Sequence, residues 1–353
     1  MGLVSKILNY FSGNTTTTPA LPSVNHGGER SSIMPKSKTT PRTGEITTFR
    51  EITDAEISLQ QNRSKYITDK NNPDYKVAKG DNLEKIAKKY NVSIYALMME
   101  NNLNDKSQLS IGQKLKIPPT HNFGKIKNIG DISNALGVNK DFILRLKRIE
   151  DSQNLPDNKF HNTPYIDANG VKTIGIGHAF KDSEKQYLND SEVCQLAVKD
   201  LLNAEDALKY KLGTAVYDKL PVNIKEALLD MVFNKGISVL EKSEGLSYCL
   251  KTEKYEAAIN KMTFNRSVKT NEEMSGLSKR RLFDISIATG IYKDGQIPQS
   301  NINTAQQVYN RGVELLRQEC RKKNIKFENQ IVGYNKDVQK YFGNKIKLKY
   351  ITQ

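Results

Sequence analysis

The sequence predicts an α+β chain in which a small strand-helix-helix-strand module precedes a mostly helical domain with a β-hairpin lobe. Three observations predict it. Between residues 74 and 119 two short apolar stripes of helical spacing lie between β-prone segments. Asp141 to Glu150 and Ala227 to Gly236 carry longer helical patterns, the second with Pro221 near its start and Gly236 at its end. From Tyr165 to His178 that period gives way to β-prone residues around Asn169-Gly170, a hairpin signal.

A chain of 353 residues with 37% hydrophobic content has room for two or three modest cores. No stretch approaches the roughly 18 consecutive apolar residues of a membrane span, so no stable membrane insertion is expected. The start, Met1 to Ile7 and Leu8, is broken by Asn9 before an h-region forms, which argues against a signal peptide and for synthesis in the cytoplasm. Cys194, Cys249 and Cys320 have neither disulfide-framework nor zinc-ligand spacing, and as small hydrophobes they are expected to be buried. The net charge of +15 points to a polyanionic partner. Residues 301 to 353 hold 11 Lys or Arg against 4 Asp or Glu, giving +7, without the interleaved aromatics of a stacking platform. This favours an anionic envelope over nucleic acid.

Leu3, Val4, Ile7, Leu8 and Phe11 form one stripe of a short helix, and Lys6 breaks the myristoylation pattern. From Ser12 to about Thr48 the chain is dense in Ser, Thr, Pro and Gly, and residues 49 to 73 stay polar. Residues 1–73 therefore read as a tether, and the first compact domain, 74–119, starts near Asp74.

In that domain Tyr75 to Val77 and Lys114 to Ile117 are the strands, and Leu83 to Tyr90 and Ile94 to Asn101 the helices. Leu83, Ile86, Ala87 and Tyr90 stripe the first helix, with Asp81 or Asn82 as its N-cap, and Ile94, Leu97 and Met98 stripe the second. The segments Tyr75-Lys76-Val77-Ala78-Lys79-Gly80-Asp81-Asn82-Leu83, Asn101-Asn102-Leu103 and Leu109-Ser110-Ile111-Gly112-Gln113-Lys114-Leu115-Lys116-Ile117-Pro118 resemble the LysM domain. One position departs, Asn82 standing where the family usually has Thr. The resemblance implies that N-acetylglucosamine-containing glycan binds in a shallow groove between the loop Gly80, Asp81, Asn82, Leu83 and the loop Leu103, Asn104, Asp105. One shallow module binds weakly, and its use is to raise the effective concentration of a tethered partner domain.

Beyond a linker through about Lys127, a second domain spans 128–300. Phe142, Leu146 and Ile149 share a helical face, and Asn139 is a candidate N-cap. Glu150 ends that helix. The negative end of the helix dipole and the adjacent Asp151 both favour its protonated form, which suits a general acid. Asp167 and Thr173 flank the predicted turn. A strict two-residue turn pairs Ile166 with Thr173 and sends Asp167 to the opposite face, so a shared site requires a longer turn or a bulge. His26, His121, His161 and His178 have no metal-ligand spacing, and Gly175 and Gly177 make no phosphate loop. His178 is a packing residue or a substrate contact.

The acid that ends a helix, Tyr165 to Asp167, Gly170, Thr173-Ile174-Gly175-Ile176-Gly177-His178, the stretch Val216 to Gly236 and Gly276-Leu277-Ser278-Lys279-Arg280-Arg281 together resemble the phage T4-type lysozymes of glycoside hydrolase family 24. The likeness runs over roughly residues 139 to 295. It implies hydrolysis, without cofactor, of the β-1,4 bond between N-acetylmuramic acid and N-acetylglucosamine in peptidoglycan. Glu150 is then the acid, and Asp167 and Thr173 position the water of an inverting reaction. Three features depart from the family. Sixteen residues separate Glu150 from Asp167, which makes Asp157 a rival carboxylate; Asp284 stands where Glu is usual; and the basic extension 301–353 has no match. Arg280 and Arg281 either hold peptide-stem carboxylates of the wall or pair with Asp284 on their own helix. A wall-acting protein without a signal peptide needs a holin, or a secretion machine with an immunity partner. The alternative function is a non-catalytic wall-binding protein with a degenerate lysozyme fold.

Overall fold

The computed structural model describes residues 62–104, 107–151, 153–167, 170–242, 245–262, 276–291 and 296–349. The stripe Leu3 to Phe11, the tether up to residue 61 and Asp105 lie outside the described residues.

The small module is the expected strand-helix-helix-strand unit. Strand β2 (Tyr75–Lys76) pairs antiparallel with β3 (Lys114–Leu115), with α2 (Leu83–Tyr90) and α3 (Ile94–Glu100) between them. Val77, Ile86, Ala87, Leu97, Leu115 and Ile117 make its core. Asn82 takes the cap of α2, its side chain accepting from Lys85 N at 2.8 Å, which is the service a Thr would give there. Asp81 is used otherwise: it accepts from Tyr75 Oη at 2.7 Å and Ala78 N at 2.8 Å and closes the loop on itself. The Asn101 amide donates to Leu97 O and Lys116 O and accepts from Lys116 N, fastening the end of α3 to the last strand.

Two expectations about the surroundings of this module are corrected. Residues 62–73, read as tether, form α1 (Arg63–Tyr66) and β1 (Thr68–Lys70), and β1 pairs with β4 (Thr120–Asn122) on the far side of the module. Every residue of β1 is exposed, so no apolar alternation announced it. Its hold is polar, with Asp69 to His121 at 2.7 Å and the Asn72 amide on Pro118 O and Thr120 Oγ1. Nor does the module hang on a linker. Helix α3 packs on α6 (Asp190–Leu212), where the Tyr95 and Tyr210 rings lie 5.5 Å apart and Lys199 Nζ reaches Asn91 Oδ1 at 2.5 Å. The Ser93 hydroxyl caps α3 and also bonds Asp206, while Arg63 pairs with Glu205 at 2.8 Å.

The larger domain opens with α4 (Ile129–Leu136), whose capping box joins Asn128 to Asp131, and α5 (Lys140–Glu150). A three-stranded antiparallel sheet follows in the order β5 (His161–Ile166), β6 (Lys172–Gly175), β7 (His178–Ala179). After α6 come α7 (Thr214–Lys219), α8 (Val222–Lys235), α9 (Ser238–Lys242), α10 (Leu246–Lys251), α11 (Tyr255–Lys261) and α12 (Gly276–Ala288). Residues of the basic extension form α13 (Gln299–Lys322) and α14 (Phe327–Phe342). These two helices pack on α11 and α12 and place Val308, Tyr309, Val313, Leu316, Tyr334 and Val338 in the main core. The extension is thus structural on one face. All three cysteines are free and buried.

Candidate active site

Helix α5 ends at Glu150 with its start and its end held from different elements. At the start, Asn139 does not cap with its side chain; it donates from N (2.7 Å) and Nδ2 (2.5 Å) to Glu226 of α8. Phe142, Ile143 and Leu146 are buried beneath, and Ile149 is half-buried. At the end, the Glu150 side chain is 18% exposed, and its Oε1 lies 2.7 Å from Arg280 Nη2 of α12. On its other side is the tight β6–β7 turn. Gly177 has φ +73°, and a Cβ built there would stand 2.8 Å from the Glu150 carboxyl carbon and from Oε2. A side chain at 177 would therefore occupy the place of the acid.

Burial pushes the Glu150 carboxyl above the usual carboxylate range; Arg280 opposes this, and Asp230 and Asp167 reinforce it. Asp151, expected to repel Glu150, is turned away. It accepts from Gln153 N, Leu155 N and His161 Nε2 and lies 3.7 Å from Lys147 Nζ, so it is held below the carboxylate range despite its burial. Lys147 in turn donates to Leu155 O and Pro156 O. The long stretch between Glu150 and the hairpin is thereby folded back on the end of α5. Asp157, the rival carboxylate, pairs with Arg148 at 2.5 Å at the surface.

The hairpin resolves the register question. Tyr165 pairs with Thr173 and Ile166 with Lys172, and Asp167 N donates to Val171 O at 2.9 Å. Three residues, not two, separate Asp167 from Val171, and Gly170 at φ +77° supplies the left-handed position that ends such a connection. One added residue changes the face: with side chains alternating, Tyr165, Asp167, Val171 and Thr173 all point the same way. A further irregularity falls between His161 and Tyr165. The Asp167 carboxylate accepts from Val171 N at 2.8 Å, and Thr173 Oγ1 donates to Val171 O at 3.1 Å.

Tyr165 ties this face to the acid. Its hydroxyl reaches Glu150 O at 3.3 Å and its ring stacks on His161 at 3.9 Å. Burial, with Asp151, Glu150 and Asp167 around it, pushes the phenol up to about 12, so it stays a neutral donor. Sequence reasoning missed Tyr165 as a site member, although its place opposite Thr173 follows once the loop length is known.

The remaining expected residues fall into two groups. His178 Nδ1 lies 2.7 Å from Asp200 and Nε2 3.3 Å from Glu184. Burial lowers its affinity for a proton, but the two carboxylates outweigh burial and hold the imidazole above its ordinary range. Arg280 and Arg281 are both buried, Arg281 pairing with Asp284 at 2.8 Å and Arg280 turning to Asp230 and Glu150. Neither is exposed to take a carboxylate from the wall. In the small module Gly80, Asn82 and Asn104 are exposed and Asp81, Leu83 and Leu103 half-buried.

A carboxyl raised by burial at a helix end, near a hairpin that offers a carboxylate and a hydroxyl on one face, is the arrangement that the class of acid-assisted hydrolases uses. The comparisons give that class its families: residues 75–118 match the LysM domain and residues 158–283 match phage lysozyme. The chain thus joins a LysM domain to a phage-type lysozyme domain, an architecture that supports a peptidoglycan hydrolase aimed at the wall. Among solved structures, the active form of the P1 phage endolysin is similar at 16% identity and a TM-score of 0.37, over 48% of this chain and 98% of that one. No curated protein matches. The lysozyme match contains Asp167, Thr173, His178, Asp230 and Arg280 but begins after Glu150, just past the stretch that lengthens the spacing to the hairpin.

Proposed function

We propose that the chain is a muramidase that hydrolyses the β-1,4 bond between N-acetylmuramic acid and N-acetylglucosamine with inversion. The observation that carries this reading is the shared face of Asp167 and Thr173 opposite a Glu150 carboxyl that burial pushes toward its acid form. Glu150 gives its proton to the glycosidic oxygen as the bond from the anomeric carbon breaks. Water attacks that carbon from the other face of the ring, oriented by the Thr173 hydroxyl, and loses its proton to Asp167. Each well-placed group of this kind contributes about 10²- to 10⁴-fold.

The LysM loops Gly80 to Leu83 and Leu103 to Asn104 hold glycan beside this site. Because the module is seated on α6, it acts as a fixed extension of the binding surface and not as a float on a line. Release to the wall is by a holin or by a secretion machine. In the described residues no helix is long and apolar enough to cross a membrane.

Turbidity loss of purified sacculi tests the reading. Wild type clears them, Glu150→Gln and Asp167→Asn lose clearing by at least about 10²-fold, and both variants still bind. Equal clearing by Glu150→Gln refutes the assignment, and binding without clearing by wild type refutes hydrolysis.

A further inference from the structure

Behind Glu150 lies a buried group of charges that the hydrolytic steps do not use. Asp230 of α8 and Asp284 of α12 are fully buried, and Arg280 and Arg281 nearly so. The Arg280 fork is divided. Nε and Nη2 go to the two oxygens of Asp230 at 2.7 and 2.5 Å, and the same Nη2 also meets Glu150 Oε1 at 2.7 Å. With all groups ionised, three carboxylates would face two guanidiniums in a largely buried site, at a cost of several kcal/mol per unpaired ion.

Asp284 relieves that excess. Arg281 Nη1 is 2.8 Å away, yet among the described residues neither Asp284 oxygen has an aligned hydrogen-bond donor, so its ionised form rests on that ion pair alone. Its carboxyl also meets that of Asp230, and when protonated it can donate to it. Burial accordingly pushes Asp284 well above the carboxylate range, while Arg280 and this donated bond keep Asp230 below it against burial. Arg280 is committed first to Asp230, which takes its Nε and Nη2.

We propose that Asp230 is a positioning residue for the general acid: by holding Nε and Nη2 of Arg280, it lets the arginine fix the Glu150 carboxyl in place without claiming its charge. Asp284 serves as the neutral brace of Asp230. The proposal rests on Glu150 being the acid. The groups that face this system are Asp167 and Tyr165 from the hairpin, which raise or sense the Glu150 charge, and Tyr341 of α14, which lies near Asp230, Asp284 and Arg280 together with Asp337.

The test is the titration of the Glu150 carboxyl, followed by carbon NMR in full-length wild type, Asp230→Asn and Asp284→Asn, with Glu150→Gln assigning the signal. In Asp230→Asn, Arg280 falls wholly on Glu150, and the acid dissociation constant rises about tenfold. The basic limb of hydrolysis then moves to lower pH by the same factor. In Asp284→Asn a neutral donor remains, and the Glu150 midpoint stays where it is in wild type. An unmoved midpoint in folded Asp230→Asn overturns the proposal, whether or not sacculi are cleared. A midpoint in Asp284→Asn displaced downward as far as expected for Asp230→Asn also overturns it, because Asp284 would then be the ionised partner. This second variant keeps the question decidable if Asp230→Asn does not fold. A shifted midpoint in a protein that clears no sacculi supports the charge arrangement and counts against the hydrolytic reading alone.

Discussion

The two regions expected to meet glycan are built in opposite ways. The LysM loop at Gly80 to Leu83 is made from its own neighbours: Asp81 bonds Tyr75 and Ala78, and Asn82 bonds Lys85, none more than six residues away. The acid end of α5 is made from afar, by Arg280 of α12, Asp230 of α8 and the Gly177 turn. A locally made, exposed loop suits weak binding, because it costs no buried charge and tolerates change. A general acid needs a drier place, and drying a carboxyl requires charges from several elements to be fixed around it.

Substitutions should divide along the same line. The largest effect is expected at Gly177→Ala. Its Cβ meets the Glu150 carboxyl at 2.8 Å in a left-handed backbone, so the acid must move. A misplacement on the order of 1 Å costs about 10²-fold in turnover, and sacculus clearing by a protein that still melts cooperatively measures it. Full activity would show that Glu150 works from another position.

The seam between the two regions comes next. Burial and Glu205 raise Asp206 to about 6, against an ordinary 3.8. A carboxyl raised on folding gives stability that is complete below its unfolded value and is lost as pH rises through its folded value, here between about 4 and 6. Asp206→Asn should therefore be more stable than wild type at pH 7, by about 1–2 kcal/mol for a half-buried group, with the gap closing toward pH 4. A gap independent of pH would detach Asp206 from the seam. The smallest change is expected at Asn82→Ala, which removes one cap and costs about 1 kcal/mol of stability. Sacculus binding by this variant should weaken severalfold with cleavage of soluble glycan unchanged.

The same division explains what was legible in the sequence. The LysM strands, helices and core were readable because their signals are local, and so were α5, α8 and the hairpin. The loop length was not: Asn169-Gly170 advertises a two-residue turn, and only the pairing of Tyr165 with Thr173 shows that Gly170 closes a three-residue one. The seating of the module on α6 and the ordering of residues 62–73 rest on exposed or polar contacts that leave no periodic trace. Arg280 and Arg281 look alike in sequence, yet one braces Glu150 and the other Asp284, a difference set by packing between α8 and α12.

The most direct test of the central claim is the chemistry of the new chain ends when wild-type protein digests purified sacculi. Muramic acid at the reducing end, released first as the α-anomer, is the predicted product of acid-assisted inverting hydrolysis. Glucosamine at the new ends, a β-anomer, or no new ends at all would contradict the roles given to Glu150, Asp167 and Thr173.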